Sequence, residues 1–576
     1  MVIKRILFFI LFLPSLCLAA TPYLAFSDII SGPDTGIGDS LGSGAIITVW
    51  GNNLGTSQGS SKVYFTDSAS QKREAAHVYY WCNADGSSGG PSNLTKLGLQ
   101  EIAFSLPDGA AGAGTISVAV GGVDSNTLAF TVQTGRLRFC DASTGSSGDG
   151  SYASPWKTNA DTYTGMAAGD IVYFKTGTYN TAFGNTNTFD TAGKTNGSSG
   201  APYAWVAYPG SVATFSPIGA SNSIFRTYQA GDWNYFIFSK LTVSTTTLCW
   251  VGMGDPGAGW SDGCRLVGNK ATGETTTAQN QASIISVVDN AKIFGCEITG
   301  ANKQYSMDHV IYIAGCPSSG AEVAYNYLHD NVCATAPHIQ WNHESSRCGE
   351  GSYVGINNSL HHNYLDGSSG TTERQFSAWE SSYTAGDPIQ PTIYVYDNVF
   401  VGGGYYADGQ DYGAVNLWHP WVANIYNNTF YNFGANQGAA IVGGSSYYFT
   451  CSLPYTVKNN IFYANASATN YIWRASSGCY GIWTVEDNCY YGIGNGPAFD
   501  TNPINGNPLF TSTSDYGLQS GSPCRDAAEN LSGVFTRDFA GTSRSAWDIG
   551  AFEYYTTPAL QPPTLSNVTI SGGSFR

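Results

Sequence analysis

Charge is scarce in this 576-residue chain: Asp, Glu, Lys and Arg together make up 11% of it, against roughly 25% in an average globular protein. Methionine is scarce as well, with four in the whole sequence. These shortages argue against a coiled coil, a long helical bundle or a disordered acidic tail. Basic residues are the scarcest charge, 25 Lys and Arg against 41 Asp and Glu, for a formal charge of −16. Without a basic footprint for phosphate, neither nucleic acid nor an anionic membrane surface is expected as a partner. No apolar run reaches about 18 residues, so no helix is expected to insert into a membrane. CxxC pairs and an HExxH helix are missing, which removes zinc ribbons and metallopeptidases of that type.

Glycine and aromatic rings take the place of the missing charges: 70 Gly, 37 Tyr, 28 Phe and 14 Trp. That aromatic surface is ample for a large core. At the N-terminus Lys4 and Arg5 precede an apolar run over residues 6–13, then Pro14 and the small-residue stretch Cys17-Leu18-Ala19-Ala20. This is the pattern of a Sec signal peptide over residues 1–20, cleaved after Ala19 or Ala20, and it implies a secreted or cell-surface protein. Setting Cys17 aside leaves an even number of cysteines in a chain bound for an oxidising compartment, so disulfides are expected. Near neighbours suggest Cys249 with Cys264 and Cys451 with Cys479, while Cys316, Cys333 and Cys348 form a crowded set; connectivity stays open.

Residues 22–135 read as a small all-β unit. Strand-like runs at 45–50, 115–120 and 127–132 are separated by Gly and Asn turn signals. The turn Gly51-Asn52-Asn53-Leu54-Gly55 and the closing Val120-Gly121-Gly122, Ser125-Asn126 and Phe130-Thr131-Val132 resemble the IPT/TIG immunoglobulin-like domain. The resemblance implies a β-sandwich that acts as a spacer or a binding module.

A second unit spans 136–556. It opens with Gly148-Asp149-Gly150-Ser151 and Pro155-Trp156-Lys157-Thr158, a short expected helix, then Gly169-Asp170-Ile171-Val172-Tyr173-Phe174 and Gly177-Thr178-Tyr179. Six times an Asn is followed, two residues on, by a bulky apolar or aromatic residue: Asn326, Asn363, Asn398, Asn428, Asn460 and Asn488. Cys296 reads as an earlier, degenerate copy. Spacings of about 28 to 37 residues, with short β-branched and aromatic runs and no helical period, favour a β-solenoid whose surplus residues leave as loops. Stacked at one turn, the asparagine amides can bond along the ladder. The entry motif, together with Gly521-Ser522-Pro523, Asp538-Phe539-Ala540-Gly541-Thr542-Ser543-Arg544 and Asp548-Ile549-Gly550-Ala551-Phe552-Glu553, resembles right-handed parallel β-helix proteins of the pectin lyase-like superfamily. The resemblance implies a helix capping the first rung. The fold class expected is therefore all-β, an immunoglobulin-like sandwich followed by a right-handed parallel β-helix. Residues 557–576 form a Pro-containing tail too short to fold alone.

Seven of the eight histidines, His309, His329, His338, His343, His361, His362 and His419, fall between 309 and 419. Histidine is the side chain best suited to proton transfer near neutral pH, and the same window holds the two longest repeat spacings. Three runs overlay there: His338-Ile-Gln-Trp-Asn-His343, Gln375-Phe-Ser-Ala-Trp-Glu380 and Ala414-Val-Asn-Leu-Trp-His419. If they are consecutive rungs, His343, Glu380 and His419 form one column about 4.8 Å per step. Asn342, Trp379 and Trp418 form the next, and Gln340, Ser377 and Asn416 a third. Period-2 alternation puts Ile339, Phe376 and Val415 in the core and sends Gln340, Asn416, Trp379 and Trp418 outward, where aromatic faces and amides suit sugar rings. Strict alternation also sends the His343 column inward, so a satisfied polar stack at a rung corner stands beside the catalytic reading.

Arg347 and Arg374, alone among arginines between 265 and 474, are candidates for a uronate carboxylate, which a guanidinium matches bidentately. Three readings follow for an extracellular polysaccharide partner. A lyase would use His343 and His419 as base and acid with Arg347 or Arg374 on the carboxylate, and Ca²⁺ held by acidic side chains could assist. A glycosidase would pair Glu380 with Glu344, Asp408 or Asp411. The polygalacturonase set and the calcium pectate lyase set of motifs are both missing. The third reading is a non-catalytic adhesin. Elimination is favoured over hydrolysis, and Ca²⁺ is the one cofactor these readings leave open.

Overall fold

The computed structural model describes residues 21–181, 196–216, 223–227, 234–244, 249–253, 263–273, 285–288, 290–303, 309–315, 320–333, 337–343, 357–368, 374–380, 392–407, 410–418, 422–443, 454–475 and 477–555. For His343, Trp379, Glu380, Asp411 and Trp418 it describes the backbone alone.

The first unit is the expected sandwich. One sheet runs in the order Tyr23–Ser27, Ile46–Asn52, Gln100–Ser105, His77–Asn83; the other runs Ser31–Gly32, Leu128–Val132, Ala113–Val120, Lys62–Asp67, Lys72–Glu74. Alternate residues turn inward, so Val63 and Phe65, Ile102 and Phe104, and Ile116 and Val118 meet in one core.

From Leu137–Cys140 onward the chain coils into the right-handed parallel β-helix. Among the described residues a first long sheet has 13 strands, ending at Asp500–Thr501, and a second has 12, from Gly177–Tyr179 to Ile504–Asn505. A third runs from Ser223–Thr227 to Ile472–Arg474. Their inward faces share one core. Phe400, Phe430, Phe462 and Tyr490 stack along it with ring centroids 4.8, 5.2 and 5.2 Å apart, the step of the coil itself. The open first rung is covered by a helix, Asn159–Gly165, as the resemblance implied. Thr158 and Asp161 cap it reciprocally, and the Trp205 indole N–H donates to Thr162 on its underside.

The asparagines behave as the repeat predicts. Each Oδ1 accepts the backbone N–H and an amide N–H of the residue one turn earlier, from Asn326–Asn363 at 3.0 and 2.9 Å to Asn460–Asn488 at 2.9 and 3.0 Å. The ladder also reaches beyond the repeat. Asn269 accepts from the Leu241 N–H, Cys296 donates its N–H to Asn326, and Asn488 ends on the Asp500 carboxylate.

The residue before each ladder position is left-handed: Lys240, Gly268, Gly295, Tyr325, His362, Asp397, Asn427 and Asn459, with φ between 48° and 62°. Side chains in that conformation stand out from the coil edge, and several of them hold what packs beside it. Lys240 pairs with Glu101 of the sandwich at 3.0 Å, both side chains 3% exposed, and Tyr325 packs on Phe26. A Cβ on Gly268 would lie 2.6 Å from the Trp50 ring and one on Gly295 2.5 Å from the Phe26 ring, so the close approach of the sandwich requires glycine there. Farther along, His362 donates to the Asp538 carbonyl, Asp397 pairs with Arg544, Asn427 donates to the Asp548 carbonyl, and Asn459 exchanges two bonds with Glu529. The sandwich thus lies against the flank of the coil and shares a core with its strands. That placement corrects the spacer expectation. The Asp538-to-Glu553 motif forms a strap beside it: Asp538 accepts the N–H groups of Ala540, Thr542 and Glu553, and Arg544 joins Asp397 to Glu553.

No disulfide joins any two cysteines among the described residues. Of the pairs suggested by sequence proximity, Cys451, Cys316 and Cys348 lie outside the described residues, as do the side chains of Cys249, Cys333 and Cys479. Among the described residues no helix is long and apolar enough to cross a membrane.

Candidate functional site

The third sheet brings the three overlaid runs together in the expected register. Ile339–His343 pairs with Phe376–Glu380, matching Gln340 to Ser377, Asn342 to Trp379 and His343 to Glu380. Phe376–Glu380 pairs with Gln410–Trp418, matching Ser377 to Asn416 and Trp379 to Trp418. Ile339, Trp341, Phe376, Ala378, Val415 and Leu417 fill the core, so the rows of Gln340 and Asn342 belong to the outer face. His343 and Glu380 are the last residues of their strands. The strand that would carry the third member ends at Trp418, and His419 lies outside the described residues, as does Arg347.

The outer face is covered rather than bare. Gln340 is 3% exposed, Asn342 5% and Asn416 0%. Asn416 is tied to Gly413, accepting its N–H at 3.2 Å and donating to its carbonyl at 2.7 Å, a local structural task for this amide. Asn342 donates to the Tyr312 hydroxyl one rung earlier at 2.8 Å, and the Tyr312 ring stacks on His309. Gln340 differs: its Nε2 is buried without a hydrogen-bond partner, so a donor stands ready on this face.

Arg374 begins the same run but stands six residues from Glu380, about 20 Å along an extended strand. Its guanidinium lies 5.5 Å from the Tyr412 ring. One sugar ring cannot touch both ends of the strand, so Arg374 is out of reach of a ring placed against the His343 and Glu380 positions. His338, at the start of the neighbouring 338–343 run, is buried, and burial lowers it to about 4, leaving it neutral at pH 7.

The histidines that crowd the sequence window do not crowd in space, because one turn of the coil distributes neighbours over three sheets. His329 pairs with Glu297 on the second sheet. His361 and His362 stand at the far edge of the first, where His361 pairs with Glu322 at 2.9 Å and touches His362. Burial raises Glu322, but the bonds and charges of His361 and Lys292 outweigh it and bring the carboxyl down to about 2. This Lys292–Glu322–His361 group was not singled out from sequence, since nothing in the spacing predicts that Glu322 and His361 share a sheet edge. Its groups satisfy one another beside the strap.

Among the described residues no three Asp, Glu, His or Cys side chains are placed to hold a metal ion. Glu344, Glu350, Glu373 and Asp408 lie outside the described residues. No step is therefore routed through calcium.

No protein-family model matches the chain, and no curated protein matches it. Solved structures similar to it include pectate lyase Pel9A, at 14% identity and TM-score 0.40 over 73% of this chain and 97% of that one. A rhamnogalacturonan lyase is similar at 12% identity and TM-score 0.38, over 67% and 96%. XylC in complex with xylose is similar at 10% identity and TM-score 0.40, over 72% and 98%. The fold assignment made here stands on the strand register and the core.

Proposed function

We propose that this is an exported carbohydrate-active β-helix protein that binds an acidic polysaccharide on the outer face of the third sheet and cleaves it by β-elimination, with the sandwich an IPT/TIG-type domain. The observation that carries the reading is the register at 339–343, 376–380 and 410–418, which sets the backbone of Trp379 beside that of Trp418 and the backbone of His343 beside that of Glu380 in adjacent columns. Rungs spaced about 4.8 Å apart would offer a polymer repeated aromatic contacts along one line.

In the elimination His343 would take the C5 proton of a uronate, its basicity raised by the neighbouring Glu380 carboxylate. As the C5–H bond breaks, the C4–O bond breaks with it, a C4=C5 double bond forms, and the leaving oxygen takes a proton from His419. Arg347 would hold the carboxylate of the reacting sugar. Arg374, about 20 Å away at the other end of the strand, is out of reach of that ring and of the ring beside it.

Incubating the purified protein with a panel of uronic-acid polymers separates the readings. New ultraviolet absorbance from unsaturated uronate marks a lyase. New reducing ends without it mark a hydrolase working through Glu380 and a second carboxylate, and retention of polymer with neither product marks an adhesin.

A further inference from the structure

We propose that Cys489 and Cys524 form a disulfide that locks the C-terminal strap onto the last rungs of the coil. Both residues are fully buried in one small core with Ile461, Leu518 and Ile549. Cys489 follows the ladder residue Asn488 and sits on the outside of the second sheet between Ile461 and Ile504. Its N–H is held by the Asn460 carbonyl at 2.9 Å. Cys524 comes from the strap, where its N–H donates to Ser522 and its carbonyl accepts from Ile549. Cys489 Sγ donates to the Gly506 carbonyl at 3.5 Å, and the neighbouring Cys489 thiol together with burial raises Cys524 well above the ordinary thiol range.

The chemistry is thiol–disulfide exchange with a disulfide oxidant, either a protein oxidase or oxidised glutathione. One cysteine thiolate attacks the oxidant's S–S bond, forming a mixed disulfide and releasing one oxidant thiolate. The second attacks the mixed disulfide, closes the Cys489–Cys524 bond and releases the other. The two protons lost by the cysteines end on the two oxidant thiolates, and the two electrons reduce the oxidant's disulfide. A seated strap holds Cys524 as a buried thiol, so closure occurs while the strap is still opening and closing, and the finished bond is shielded from reductant.

The test incubates the full chain with oxidised glutathione, denatures it in iodoacetamide without reductant, digests it and maps the peptides. The proposal predicts a cross-linked pair of peptides holding residues 489 and 524, with neither cysteine alkylated. Alkylation of both residues, or a link from either to another cysteine, overturns it. As a second measurement, Cys524→Ser and reduced wild type should both melt about 5 °C or more below the oxidised wild type. An unchanged melting temperature overturns the lock.

Discussion

Asn398 makes five side-chain hydrogen bonds, donating to the Leu360 and Tyr396 carbonyls and to Asn428 and accepting two from Asn363. All but the bond to Tyr396 are fully buried, and each orphaned buried group costs about 1–3 kcal/mol. Asn398→Ala should therefore destabilise the protein by about 4 kcal/mol, read as a lower urea midpoint. A loss under about 1 kcal/mol would mean that the ladder contributes little. The repeat of Asn and aromatic residues made this ladder visible in the sequence, because its period follows directly from the coil. The left-handed residue before each Asn was not visible, since Lys240, Tyr325, His362 and Asp397 share no chemistry. What they share is a φ that L-residues avoid, held there by whatever each side chain grips beside the coil.

At the scale of strands, the third sheet repeats a pattern that sequence could align: apolar positions at 339, 376 and 415 fix the register, and every partner follows. Coverage of the outer face and the dispersal of the histidines were not legible, because both depend on which strand of a turn a residue falls on. The second sheet meets the sandwich at Glu297, which accepts from Asn93 and pairs with Lys270 and His329. Burial raises this carboxyl, but hydrogen bonds from His329, Ser92 and Asn93 and the Lys270 charge outweigh it and bring it down to about 2 from 4.5. A folded value below the unfolded one means that the stabilisation is complete above pH 4.5 and is lost as pH falls toward 2. Glu297→Gln should cost about 2 kcal/mol at pH 7, and its deficit against wild type should shrink as unfolding is measured at lower pH. A deficit that stays constant with pH would show that the charge is not what matters.

Across the whole molecule, sandwich, coil and strap are joined along one edge, so they should unfold together. Lys240→Met leaves Glu101 buried and unpaired, and breaking such a pair costs about 3–5 kcal/mol. The variant should show its largest effect in the sandwich, and calorimetry should resolve an early transition that is missing from wild type. A single unshifted transition would mean that the sandwich is held by apolar contacts alone. The functional claim rests on the other flank, where the third sheet aligns His343 with Glu380 and Trp379 with Trp418. The most direct measurement is the initial rate of unsaturated-uronate formation by Glu380→Gln on whichever polymer the wild type cleaves. The account predicts a fall of about 100-fold or more with an unchanged melting temperature. A wild-type rate, or a lost rate accompanied by a collapse in melting temperature, would contradict it.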